Sequence, residues 1–221
     1  MNCNLFIRWA SLAAAVMFAW NAEAVIGVSN IAEPAGNVLP LQFQIGAAPF
    51  STGATSWTLE SAIVLLMNDD IAAATVTAEI WSDNSGIPGT LLHSLSSETL
   101  PGNSFLTPVT FASSGFTLNL SDTYWLVTRS TPPGFGGGGV AWDDTTSNAA
   151  TSPLDWTVGD VSYRSTDAGA SWIMMPDSRV GLFTINVSSE LSTVPEPSTL
   201  LLLGLGGWLL LRRFTGRKPR R

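Results

Sequence analysis

One histidine, His93, and one cysteine, Cys3, limit the chemistry open to this 221-residue chain. His93 sits inside the apolar strand pattern Leu91-Leu92-His93-Ser94-Leu95 and reads as a strand residue rather than a general base. A Ser–His–Asp triad would have to use it, and the chain has no G-x-S-x-G elbow. Cysteine–histidine chemistry and histidine-rich zinc sites need more of both residues than the chain supplies. Carboxylates are the plentiful groups. Asp69-Asp70 and Asp143-Asp144 are adjacent pairs at strand ends, but neighbours in extended chain point to opposite faces, so adjacency alone makes no acid–base dyad. Carboxylates for glycoside hydrolysis meet in space and leave no spacing to read. The expectation is a protein that is not an enzyme, with no catalytic residue assigned.

Binding chemistry is better represented. Asp83-Asn84-Ser85-Gly86-Ile87-Pro88-Gly89 crowds oxygen donors together, yet calcium wants six to eight oxygens, and the EF-hand glutamate at position twelve is missing. Its Gly and Pro content predicts a tight inter-strand turn. A calcium site assembled from several loops stays open, because loop carboxylates are many and counter-charges few; no metal ligands and no other cofactor are assigned. Trp142 and Trp156 are the ligand-binding candidates. They flank loops rich in Gly, Ser, Thr and Asp, where exposed tryptophans beside carboxylates would suit sugar stacking. The competing and favoured use is to cover the ends of the core, as large aromatics do. Ser165-Thr166-Asp167-Ala168-Gly169-Ala170-Ser171-Trp172 is similar to the Asp box of sialidases. Asp167 can cap the turn, Gly169 can take positive φ, and Trp172 can fold back on the base. It occurs once here, without the arginine cluster that binds a sialic carboxylate, which implies a structural hairpin.

The first 24 residues read as a secretory signal peptide, the ticket for the Sec machinery. Arg8 supplies the positive n-region, Trp9 to Trp20 the apolar h-region, and Ala22-Glu23-Ala24 an A-x-A site with cleavage after Ala24. Cys3 precedes the h-region outside any Leu-x-x-Cys context, so a lipoprotein reading fails. Cleavage leaves a cysteine-free exported domain that must be stable on its core alone.

At the other end Pro195-Glu196-Pro197 precedes the apolar run Leu200 to Leu211, then Arg212, Arg213, Arg217, Lys218, Arg220 and Arg221. Twelve helical residues cover only about 18 Å, against about 20 residues for a full span. Ser198 and Thr199 extend the helix outward and Phe214 inward, with Arg212 and Arg213 snorkelling, so the segment runs over 198–214. Its terminal position and basic flank favour a membrane anchor over a core helix. By the positive-inside rule the basic end stays cytoplasmic and the domain faces out. This order resembles the PEP-CTERM sorting signal of Gram-negative bacteria that make exopolysaccharide. The resemblance implies an exosortase, a membrane enzyme with a cysteine nucleophile, as the partner that processes the tail near Pro195, Glu196 and Pro197. It makes Leu200 to Leu211 a transient inner-membrane anchor, Arg212 and Arg213 its stop-transfer end, and the cell surface or extracellular matrix the destination.

Between these signals lies an acidic domain. From Val25 to Thr193 only Arg129, Arg164 and Arg179 are basic, against fifteen carboxylates, a net of −12. Such a domain repels phosphate backbones, so nucleic acid is excluded as a partner, whereas divalent cations or neutral polymers such as exopolysaccharide fit. Short β-branched and aromatic runs alternate with Gly, Pro, Asn, Asp and Ser clusters. Strands are expected at Leu41–Ile45, Thr58–Met67, Thr75–Ser82, Leu91–Thr99, Leu106–Phe111, Phe116–Leu118, Tyr124–Ser130, Val140–Trp142, Val161–Arg164, Ser171–Met174 and Val180–Val187, the last covered on both faces. That number predicts an all-β, antiparallel, jelly-roll-like sandwich over residues 25–188, flanked by a signal helix and a transmembrane helix. Residues 189–194 form a linker, and residues 195–221 the sorting signal. Phe43 through Phe50-Ser51-Thr52-Gly53, Thr58-Leu59, Ile80 to Gly89 and Thr123-Tyr124-Trp125-Leu126-Val127 together resemble the exported β-domain called choice-of-anchor R. The resemblance implies a fold and a surface location, and no activity. The sequence thus describes an exported, non-enzymatic surface or matrix protein; its alternative is a carbohydrate-binding module, calcium-assisted, using Trp142 and Trp156.

Overall fold

The computed structural model describes residues 24–41, 44–131, 139–147, 149–175 and 179–189, and every regular element among them is a β-strand. The strands are β1 (Val25–Ser29), β2 (Asn37–Pro40), β3 (Ile45–Ser51), β4 (Trp57–Asn68), β5 (Ala74–Asp83), β6 (Pro88–Leu100), β7 (Ser104–Leu118), β8 (Thr123–Thr131), β9 (Val140–Thr145), β10 (Thr157–Val158), β11 (Tyr163–Ser165), β12 (Ile173–Met174), β13 (Val180–Gly181) and β14 (Phe183–Ser188). They lie in the first of two compact units, Met1–Ser189 and Glu190–Arg221. All pairings are antiparallel, in two sheets. One contains β2-β9-β4-β7, with β14 and β1 added beside β4 and β13 beside β9. The other contains β3-β8-β5-β6, with β10, β11 and β12 on the β3 side.

The pairings are nested. The β5–β6 hairpin is innermost, enclosed in turn by β4–β7, β3–β8 and β2–β9. A single long antiparallel ribbon, folded over so that alternate pairs fall into opposite sheets, has this connectivity.

Side-chain alternation explains why the ribbon folds over. On β5, Val76, Ala78 and Ile80 are buried on one face. On β4 the inward positions change parity, from Leu59 to Ala62, Val64 and Leu66. A register shift between Leu59 and Ser61 resets the strand, and opposite it residues 113–115 of β7 bulge out, with Gly115 at φ +89°. Both sheets feed one core. Leu59, Leu66, Phe111, Trp142, Phe183 and Ile185 come from the first, and Phe50, Val76, Ile80, Tyr124 and Leu126 from the second. Phe50 lies at its centre, stacked on Tyr124 at 5.8 Å and on Trp156 at 6.1 Å, and tilted against Phe183 at 6.2 Å. Each such side chain contributes about 1.5–3 kcal/mol by leaving water.

A second, smaller cluster sits on the other face of the second sheet: Ile45, Ala47, Trp81, Trp125 and Val127. The β11–β12 hairpin covers it, laying Trp172 edge-on to Trp81 at 5.7 Å and Tyr163 edge-on to Trp125 at 5.3 Å. This hairpin is the Ser165–Trp172 motif. Asp167 accepts from Ser165 Oγ at 2.7 Å, Ser171 N at 2.9 Å and Ser171 Oγ at 2.5 Å. Gly169 has φ +96°, and a Cβ there would stand 2.6 Å from Trp81 Cη2. The motif works as a lid brace, as its turn chemistry implies.

Several expected strands differ from those found. The one expected at Leu41–Ile45 is β3 at Ile45–Ser51, whose Gly, Ala and Pro content hides it from propensity. Pro49 is tolerated because its carbonyl takes Gly159 N on the side where β11 has ended and β10 pairs only from Phe50, so no ladder donor is lost there. The two runs Leu106–Phe111 and Phe116–Leu118 are one bulged strand, β7. The last run changes partner at Leu182, whose N–H bonds Asp143 O in the β9 register and whose carbonyl accepts from Leu65 N in the β4 register. From Phe183 to Ser188, β14 is buried at every position except Asn186, in line with a strand covered on both faces.

Candidate functional site

Strand polarity brings the β5–β6 turn and the β7–β8 turn to the same end of the fold, and between them lies an open groove of about 550 Å³. Ser82 and Asp83 line it from β5, Leu92 from β6, Phe116 and Thr117 from β7, Asn119 and Asp122 from the following turn, and Thr123 and Tyr124 from β8. Asp83 is fixed twice, by Trp125 Nε1 at 2.8 Å and by Gly86 N at 3.0 Å, so the turn that crowds oxygen atoms caps itself. Tyr124 hydroxyl accepts from Asn119 N at 2.9 Å and donates to Asp122 Oδ2 at 3.4 Å. Burial pushes the Tyr124 phenol up, aided by the Asp122 charge and opposed by the Asn119 N–H. Phe116 is stacked on His93 at 5.2 Å and 12°, and lies edge-on to Tyr124. His93 Nε2 meets Ser113 Oγ at 3.0 Å, across the seam where β6 of one sheet faces β7 of the other. The arrangement offers fixed hydroxyl and carboxylate acceptors beside an apolar wall.

Trp142 and Trp156 are elsewhere. Trp142 is fully buried on β9, edge-on to Phe183, and its Nε1 donates to Leu182 O at 3.0 Å. Gly181 lies against its ring so closely that a Cβ would overlap it. Trp156 is buried against Phe50, with Gly27 and Gly53 yielding space to its ring. Neither presents a face to a ligand, so the sugar-stacking role for these two residues is corrected: both are core. Their Gly- and Ser-rich surroundings come from close packing on the rings. Phe116 and Tyr124, which do line the groove, are unmarked in sequence because a partly buried aromatic in a strand looks like any other core residue.

The carboxylate pairs separate by environment. Asp143 and Asp144 are both buried on β9. Burial, reinforced by the Asp144 charge, pushes the Asp143 carboxyl up to about 6. Burial also raises Asp144, but Arg179 at 4.0 Å and the N–H of Asn37 at 3.1 Å pull against it. Asp69 Oδ1 holds Gly139 N, and Asp70 Oδ1 caps Ala72 N at 3.2 Å. The first pair is closed off by burial, and the second is engaged with loop backbone. Glu79 accepts from Arg129 Nη2 at 2.6 Å and from Trp81 Nε1 at 2.8 Å, bracing the smaller cluster. Among the described residues no group of three or more His, Cys, Asp or Glu is placed to hold a metal.

The targeting residues fall largely outside the described residues. Ala22 lies there with the rest of 1–23, as do Pro195, Glu196, Pro197, Leu200, Leu211, Arg212 and Arg213; Ala24 is exposed just ahead of β1. Among the described residues no helix is long and apolar enough to cross a membrane. No curated protein matches the chain. Residues 193–221 match the PEP-CTERM protein-sorting motif, and this match supports an exported protein that is anchored in a membrane before an exosortase sorts it.

Proposed function

We propose that the chain is a non-enzymatic surface or exopolysaccharide-matrix protein, delivered by Sec export and exosortase processing of its tail, and acting without a cofactor. The observation that carries this reading is the sorting motif at residues 193–221, placed directly after a β-domain that ends at Ser188. We read that domain as a jelly-roll β-sandwich of the choice-of-anchor R kind. The nested pairing of β5–β6, β4–β7, β3–β8 and β2–β9 and the single core fed by both sheets support the architecture. The phrase Ile80 to Gly89, which contains the β5–β6 turn, supports the likeness. A non-enzymatic role is supported by the two adjacent acid pairs, of which Asp143 and Asp144 are buried and Asp69 and Asp70 bond loop backbone. A net charge of −12 between Val25 and Thr193 suits a neutral matrix and disfavours nucleic acid.

The test is the intact mass of the protein recovered from its native cell. Loss of both the first 24 residues and the tail beyond the Pro195-Glu196-Pro197 region is expected. Replacing those three residues by alanines should hold the protein in the inner membrane with its tail attached. Unchanged processing and release of that variant would show an ordinary anchor and end the exosortase reading.

A further inference from the structure

We propose that the groove between the β5–β6 and β7–β8 turns is a saccharide-binding site, with Phe116 as its apolar platform and Asp83 and Asp122 as hydroxyl acceptors, for sugars that carry no acidic group. The proposal goes beyond the sorting reading and does not rest on it. Its first support is preorganisation. His93 stacks on Phe116 at 12° and is itself held by Ser113 Oγ at 3.0 Å, while Tyr124 braces the ring edge-on, so the platform is set before a ligand arrives. Leu92, 43% exposed, continues the apolar wall into solvent. A pyranose has an apolar C–H face that suits such a wall and a rim of hydroxyls that needs fixed acceptors.

Of the acceptors, Asp83 is fixed by Trp125 Nε1 and Gly86 N, whereas Asp122, at the exposed rim, takes one long contact of 3.4 Å from Tyr124 hydroxyl. An ionised carboxylate has room for about four hydrogen bonds, so each keeps capacity for a ligand, and its two oxygens match neighbouring sugar hydroxyls. The polarity of the site selects among sugars. Among the described residues no cationic side chain lines the groove, two carboxylates do, and the surrounding domain is strongly acidic. Uronate or sulfated units would be repelled, and neutral units accepted. Trp142 and Trp156 have no part in this site.

Calorimetry on the full chain in detergent micelles tests the proposal, with cellotetraose, laminaritetraose and mannotetraose as neutral probes, tetragalacturonate as the acidic probe and tetralysine as a basic peptide probe. At least one neutral tetrasaccharide should bind, and tryptophan emission should shift with it, because Trp125 is bonded to Asp83 in the groove wall. Phe116→Ala should weaken that binding about tenfold or more. Asp122→Ala and Leu92→Ala, at exposed positions that the core does not need, should weaken it as well, while Ile173→Ala on β12 should leave it unchanged. Absence of binding by all three neutral probes at millimolar concentration would overturn the proposal. So would equal binding by the Asp122→Ala and Leu92→Ala variants, or a preference for tetragalacturonate or tetralysine.

Discussion

Asp143 on β9 and Asp167 in the β11–β12 hairpin are the same side chain put to opposite uses. Burial, with the charge of Asp144 added, pushes the Asp143 carboxyl up to about 6. Three hydrogen bonds from Ser171 and Ser165 at the surface draw Asp167 down to about 2. The first is a charge that the fold keeps out of water without a full set of partners, since its Oδ2 has none among the described residues. The second is a charge that the fold solvates with its own turn. A carboxylate therefore says little by its presence in this chain, and its surroundings decide whether ionisation opposes folding or supports it.

Changing pH separates the two carboxylates most strongly. The folded-state pKa of Asp143 lies above the ordinary carboxylate value, so between about pH 4 and pH 6 the folded state binds the extra proton. Stability from this group is fully present below about pH 4 and is lost as pH rises through about 6. Two units correspond to about 3 kcal/mol. Asp143→Asn should recover a gain of that order at pH 8 and almost none at pH 4, measured by denaturant unfolding at both values. An equal gain at both would show that ionisation is not the cost.

The hairpin side sharpens next through Gly169. Alanine there meets both the positive φ and the Trp81 ring, and overpacking of this kind costs about 1–3 kcal/mol. Differential scanning calorimetry should show a lower midpoint, together with altered near-ultraviolet dichroism from Trp81 and Trp172. The smallest effect belongs to Asp167 itself, which is exposed. Asp167→Ala should lower the midpoint less than Gly169→Ala does. Its folded pKa is depressed, so the stability it adds is present above about pH 4 and lost as pH falls through about 2. The deficit of the variant should accordingly shrink in acid; a deficit that grew there would contradict the assigned sign.

Legibility in the sequence followed the range of the interactions. The β11–β12 hairpin is a local device, closed by hydrogen bonds within four residues, and Ser165 to Trp172 announced it in full. Alternation found β4 and β5 because each presents mainly one face to the core, whereas β8 stood out as a continuous apolar run, Tyr124 to Val127, covered on both faces. Alternation missed β3, where glycine, alanine and proline occupy buried positions between wide aromatic partners such as Trp125 opposite Pro49. It also missed β1 and β2, short strands recruited by β14 and β9. Trp142 and Trp156 stood beside loops in sequence and inside the core in space, because Gly27, Gly53 and Gly181 let the backbone close over their rings. The groove was half marked in sequence. The oxygen-rich turn at Asp83 stood out, but Phe116 and Asp122, about the β7–β8 turn, did not, and the two stretches meet only because antiparallel strands return to one end.

By itself the sequence determined the sorting motif, the charge and the strand-rich class of the protein. A sorting motif is a linear string, so its information is present before folding. Net charge is a sum, and a strand-rich composition with turn residues at short intervals leaves only antiparallel sheets as an economical way to satisfy the backbone. Tertiary structure alone decided which aromatics are core and which face solvent, which carboxylates are ionised with ease, and where a ligand could rest. Those properties depend on burial and on distances between residues far apart in the chain, and they do not exist until the ribbon has folded over on itself.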